Sequence, residues 1–127
     1  MKSEKRKIGD YGEDLACLFL ENQGLKIKNR NYLEKWGEID IIAKKNKILY
    51  FLEIKTLSFN EVIHETFKDV FPEEQITTKK AKKLKKAIGL YQLKNNIDDD
   101  IQFAVIAVVL DSNNSNGEIR FYPEIVL

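Results

Sequence analysis

The chain has 127 residues, 43% of them hydrophobic and 10% aromatic, which excludes a disordered chain and gives one domain enough length to bury a core without a disulfide or structural metal. Lys and Arg total 21 against 20 for Asp and Glu, so net charge by itself signals no nucleic-acid partner. A single cysteine, Cys17, excludes an internal disulfide, and no Cys/His cluster has zinc spacing.

The start, Met1 to Lys7, is charged and no long apolar stretch follows, so no signal peptide is expected. The longest apolar run, Phe103 to Leu110, falls short of the ~20 residues a spanning helix needs. These features lead us to expect a cytoplasmic chain without a membrane partner.

Ile8 to Gln23 reads as a helix, with Gly24 as its terminator. One stripe holds Ile8, Tyr11, Leu15, Leu18 and Phe19; a second holds Glu13, Ala16, Cys17 and Leu20. Glu13 thus shares a mostly apolar stripe, either as an edge residue with its head in water, which the spacing favours, or pointing into a pocket. Leu25 to Leu33 begins as an alternating strand, Gly37 to Lys44 is a second, and Ile48 to Thr56 is a third, apolar on both faces and so central. The segment Ser58 to Gln75 is a long loop or a short extra helix. Thr77 to Leu93 is a second helix, with Ala81, Leu84, Ala87, Ile88 and Tyr91 on one face and lysines on the other. Ile101 to Leu110 is a fourth strand, and "DSNNSNGE" (Asp111 to Glu118) is a turn. Ile119 to Ile125 is a last strand, placed at an edge by Pro123. The order is α, β, β, β, α, β, β in a single domain spanning residues 1–127.

The stretch "GEIDIIAKKNKILYFLEIKTL" (Gly37 to Leu57) places Asp40, Glu53 and Lys55 on otherwise apolar strands. Residues two apart in a strand share a face, so Glu53 and Lys55 lie together with Leu49 and Phe51. A surface Glu53–Lys55 ion pair would account for both charges at about 0–1 kcal/mol. Asp40 alters the balance, because the hairpin register can bring it beside Glu53, and two adjacent carboxylates repel. A hard cation such as Mg²⁺ removes that conflict, and a neighbouring lysine can stabilise charge developing on a phosphate.

"GEID" followed by "LEIK" resembles the Asp…Glu-x-Lys signature of PD-(D/E)XK nucleases. With "YGEDLACLFLENQGLKIKNRNY", "FLEIKT" and "ITTKKAKKLKKAIGLY", most of the chain is similar to the YraN-like family of small bacterial proteins, grouped with restriction-endonuclease-like and Holliday-junction-resolvase-like folds. The resemblance implies an α/β fold with a restriction-endonuclease-like αβββαβ core and a mixed central sheet. It implies Asp40 and Glu53 as ligands of Mg²⁺ or Mn²⁺, with the Ile54 carbonyl as a third. Lys55 matches the lysine that orients the attacking water and stabilises the transition state, and Glu13 the helix carboxylate that completes resolvase-like sites. Lys79, Lys80 and Lys83 on the basic helix become phosphate contacts.

The function so implied is metal-dependent hydrolysis of phosphodiester bonds in DNA, branched, damaged or double-stranded. A symmetric substrate would call for a homodimer. Three features depart from the family pattern. Leu57 stands where an arginine is usual, Phe103-Ala104 stands where the fourth strand usually begins "FD", and Glu61, Glu65, Asp69, Glu73 and Glu74 make the loop after Leu57 acidic. They motivate an alternative: an inactive nucleic-acid-binding module, or an interaction module whose acidic loop, residues 60–74, docks a basic protein partner. His64 in that loop reads most simply as a surface residue, and Cys17 as core packing. Trp36 reads as packing over the hairpin turn or as a base-stacking platform.

Overall fold

The computed structural model describes residues 2–58, 77–110 and 117–127. The expectations for His64, the acidic segment 60–74 and most of the turn Asp111 to Glu118 lie outside the described residues.

Seven elements follow in the expected order: α1 (Glu4–Asn22), β1 (Lys26–Glu34), β2 (Gly37–Lys45), β3 (Ile48–Ser58), α2 (Thr78–Asn95), β4 (Asp100–Leu110) and β5 (Gly117–Tyr122). α1 starts a turn earlier than the apolar spacing suggested, because Ser3 caps it: the Ser3 hydroxyl accepts from the Arg6 N–H at 3.1 Å. Its end is a Schellman motif. Gly24 takes φ +89°, its N–H donates to the Glu21 carbonyl, and the Leu25 N–H donates to the Leu20 carbonyl at 2.9 Å. Both Leu20 and Leu25 are buried in the same cluster, which fixes the angle at which β1 departs.

The strands form one mixed five-stranded sheet in the order β1-β2-β3-β4-β5. β3 and β4 are parallel, joined across the sheet by the connection that carries α2; the other pairs are antiparallel. β3 is the middle strand, as its two apolar faces predict, and the molecule has the αβββαβ core with a mixed sheet. β5 is an edge strand that stops at Tyr122, before Pro123 and not through it, because a proline supplies no N–H to the ladder.

Each helix covers one face. α1 packs Ala16, Cys17 and Leu20 on Ile41, Ala43, Leu52, Ala104, Ile106 and Val108. α2 packs Leu84, Ala87, Ile88 and Tyr91 on Ile39, Ile42, Phe51 and Val105. The stripe that α1 buries is therefore the one holding Glu13. Tyr11 and Leu18, on the more apolar-looking stripe, remain exposed. Closeness decides this. An ideal Cβ on Gly12 would lie 2.0 Å from Thr56 Oγ1, so the helix sits on the sheet through its small residues.

Candidate active site

The site grows from a fault in the β1–β2 hairpin. Along β2, Ile41 and Ala43 face α1 while Ile42 faces α2, as strict alternation requires. Ile39 should then face α1, yet it packs in the α2 cluster together with Tyr32, its partner on β1. The phase slips between them, at Asp40 and at Asn31 opposite. Asn31 holds φ +53°, a left-handed conformation that asparagine tolerates better than most residues.

The same point ends the pairing of β2 with β3. Their register runs from Lys45↔Ile48 to Ile41↔Leu52 and stops there, though both strands continue. Asp40 and Glu53 each stand one step beyond that last pair. The Asp40 side chain takes over where the ladder ends: its Oδ2 accepts from the Ile54 N–H at 2.7 Å. The two strands thus part around a carboxylate.

The gap is lined by Glu13, Asp40, Ile54 and Thr56, by the exposed Glu38, and by the exposed Lys5 and Arg6 from the first turns of α1; the cleft measures about 770 Å³. Asp40 is pushed up to about 6, chiefly by burial, although the Ile54 N–H lowers it; the negative charges of Glu53, Glu13 and Glu38 add to the rise. Two of these carboxylates carry cations of their own, Glu13 with Arg30 and Glu53 with Lys80, whereas Asp40 is held by the Ile54 N–H.

Glu13 does not put its head in water. It is 9% exposed, and its Oε1 accepts from Arg30 Nε at 3.1 Å and from Asn31 Nδ2 at 3.2 Å. Arg30 also reaches Asp14 at 2.8 Å, and these two carboxylates hold the guanidinium even more firmly charged than usual. Arg30 and Asn31 orient Glu13 into the cleft. Sequence reasoning missed both as site residues, although "KNRNY" offered a signal in an Asn at a strand irregularity and an Arg in an otherwise polar strand. It missed Glu38 as well, one residue into "GEID".

Glu53 and Lys55 follow Phe51 on the sheet face that α2 covers, and both are half-buried. Glu53 forms an ion pair with Lys80 from the first turn of α2. Its side chain is 31% exposed and that of Lys80 44%, so the pair contributes about 0–1 kcal/mol and exchanges readily for another cation. Lys79 and Lys83 are exposed on the same helix. Trp36, at the hairpin tip, lies under Lys86, with Nζ 4.1 Å from the ring centroid; it packs between hairpin and helix. Cys17 is buried, and burial raises its thiol, as core packing predicts.

The structure therefore brings Glu13, Asp40 and the Ile54 backbone into one cleft, whereas Glu53 and Lys55 stand outside its lining, on the sheet face that α2 covers. Among the described residues, no three Asp, Glu, His or Cys side chains converge into a ready-made metal cage. The donors fit a hard divalent cation in kind, since all are carboxylate or carbonyl oxygens around a half-buried Asp40. Closing them on an ion requires Glu53 to release Lys80.

Residues 12–108 match the model of the uncharacterised protein family UPF0102. A UPF0102 protein of Campylobacter jejuni subsp. doylei is 44% identical over 103 residues, covering 81% of this chain and 84% of the relative. One from Helicobacter hepaticus is 35% identical over 122 residues, covering 96% of each chain, and one from Clostridium botulinum is 36% identical over 117 residues, covering 91% and 89%. The chain belongs to the UPF0102, or YraN-like, family.

Proposed function

We propose that this protein is a metal-dependent nuclease of the PD-(D/E)XK type that hydrolyses phosphodiester bonds in DNA. The observation that carries the reading is Asp40: a carboxylate held at the parting of two strands, pushed up to about 6 by burial and by three neighbouring carboxylates. A structural aspartate would be expected beside a cation of its own. This one has the Ile54 N–H instead, with Glu13, Glu38 and Glu53 close enough to raise it further.

In this reading Asp40, Glu53 and the Ile54 carbonyl hold Mg²⁺ or Mn²⁺, which would supply a Lewis acid for the phosphate and a lowered pKa for water. Lys55, on the same face as Glu53 and two residues on, places positive charge where the phosphate oxygens gain negative charge. Glu13, locked by Arg30 and Asn31, orients water in the cleft. The Ile54 N–H fixes the Asp40 carboxylate so that no reorganisation is needed when substrate arrives.

The departures from the family pattern favour one rival, a module that keeps the fold and has lost the chemistry. Calorimetric titration with Mn²⁺ separates the two. The nuclease reading predicts a single class of site in the wild type, lost in Asp40→Asn and in Glu53→Gln. It also predicts binding up to about fivefold tighter in Lys80→Ala, because the competing ammonium is gone. Absence of Mn²⁺ binding in the wild type would overturn it.

A further inference from the structure

Two sets of cations flank this fold, and they lie on opposite sides of the sheet. The α2 lysines stand on the side of Glu53. Lys5 and Arg6 line the rim of the cleft that holds Asp40 and Glu13. Sequence reasoning assigned phosphate contacts to the first set only.

The second set has the better access. Both residues are exposed in the first two turns of α1. Lys5 has no ion-pair partner among the described residues. Arg6 is 3.7 Å from Asp10, a long contact, and Asp10 is already engaged by Lys2 at 2.6 Å. The floor of the cleft is acidic, with Glu13, Glu38 and Asp40, so a polyanion cannot lie on it without cations at the lip. The cost of charge crowding on the floor falls where Lys5 and Arg6 stand above it.

Size narrows the ligand. A volume of about 770 Å³ is that of a site for a drug-sized molecule, which corresponds to one or two nucleotides of a single strand. Resting on the nuclease reading, we infer that Lys5 and Arg6 grip the phosphates of one unpaired strand and feed it into the cleft, so that the substrate is single-stranded or locally unpaired at the point of cutting.

The test is fluorescence anisotropy of a labelled oligonucleotide, single-stranded and annealed to its complement, over a salt series without divalent cation. The wild type, Lys5→Ala/Arg6→Ala, and Lys82→Ala/Lys85→Ala on the α2 side are compared. These side chains are exposed, and unchanged melting temperatures would show that the variants fold. We expect the wild type to favour the single strand. We expect Lys5→Ala/Arg6→Ala to weaken it about tenfold or more and to reduce the salt slope by about 1.4, the value for two lost single-strand phosphate contacts. Unchanged affinity and slope in that variant would overturn the inference and leave the nuclease reading standing, as would preference for the duplex. No binding of any nucleic acid by the wild type would overturn the nuclease reading and this inference together.

Discussion

At the scale of single residues, the proposed chemistry centres on Asp40. Its carboxyl titrates near 6 in the folded chain and near 3.8 when unfolded. Between those values the folded state holds the proton more tightly, so stability falls as pH rises from about 4 to about 6 and stays reduced above. Two pH units correspond to about 3 kcal/mol as an upper bound. Asp40→Asn keeps an oxygen for the Ile54 N–H and removes the charge. In a chelator, urea unfolding should therefore show the Asp40→Asn variant more stable than wild type at pH 7.5 and nearly equal at pH 4. Equal stability at both values would mean that the carboxylate is not strained. Glu13 shows why a residue-level reading of sequence stops short. Its partners are 17 and 18 residues away on β1, and its apolar stripe made it look like an edge residue until Arg30 and Asn31 were placed beside it.

The elements were legible because their signals are local. Alternation gave the start of β1, a run apolar on both faces gave β3 its central place, and apolar spacing gave α2, whose start is capped by Thr77: its hydroxyl accepts from the Lys80 N–H at 3.1 Å. Two features were not local. The first is which stripe of α1 turns inward. Apolar spacing drew two stripes without choosing between them; the sheet seats Gly12, Ala16 and Cys17 for their size, packs Ile8, Leu15 and Phe19 at the margin and leaves Tyr11 and Leu18 exposed. Gly12→Ala tests that account. Its methyl would press on Thr56, and overpacking of this kind costs about 1–3 kcal/mol. The melting temperature should drop, with part of the loss recovered in Gly12→Ala/Thr56→Ala; a neutral Gly12→Ala would show that α1 can ride up without cost. The second is the phase slip at Asn31 and Asp40, which no period-two pattern can reveal. It is the step that turns a regular hairpin into a cleft.

For the whole molecule, the sheet separates the candidate residues between its two faces. The α1 face contributes Glu13 and the cationic rim, the α2 face Glu53, Lys55 and the lysines, and Asp40 stands where β2 and β3 part. The motif residues "GEID" and "LEIK" were readable as a unit because their strands are adjacent. The contact of Lys80 with Glu53 spans 27 residues and was not. The proposed site occurs once among the described residues, so symmetric cutting of a four-way junction would take two copies.

The most direct measurement is cleavage of labelled single-stranded, linear duplex, flapped and four-way-junction DNA with Mg²⁺ and with Mn²⁺, comparing wild type, Glu53→Ala and Lys55→Ala. The account predicts metal-dependent products from the wild type, strongest where a strand is unpaired, and a loss of about 10²-fold or more in each variant, the scale for removing a group that stabilises the transition state. Cutting by Glu53→Ala at the wild-type rate, or no cutting of any substrate by a wild type that binds both metal and DNA, would contradict it.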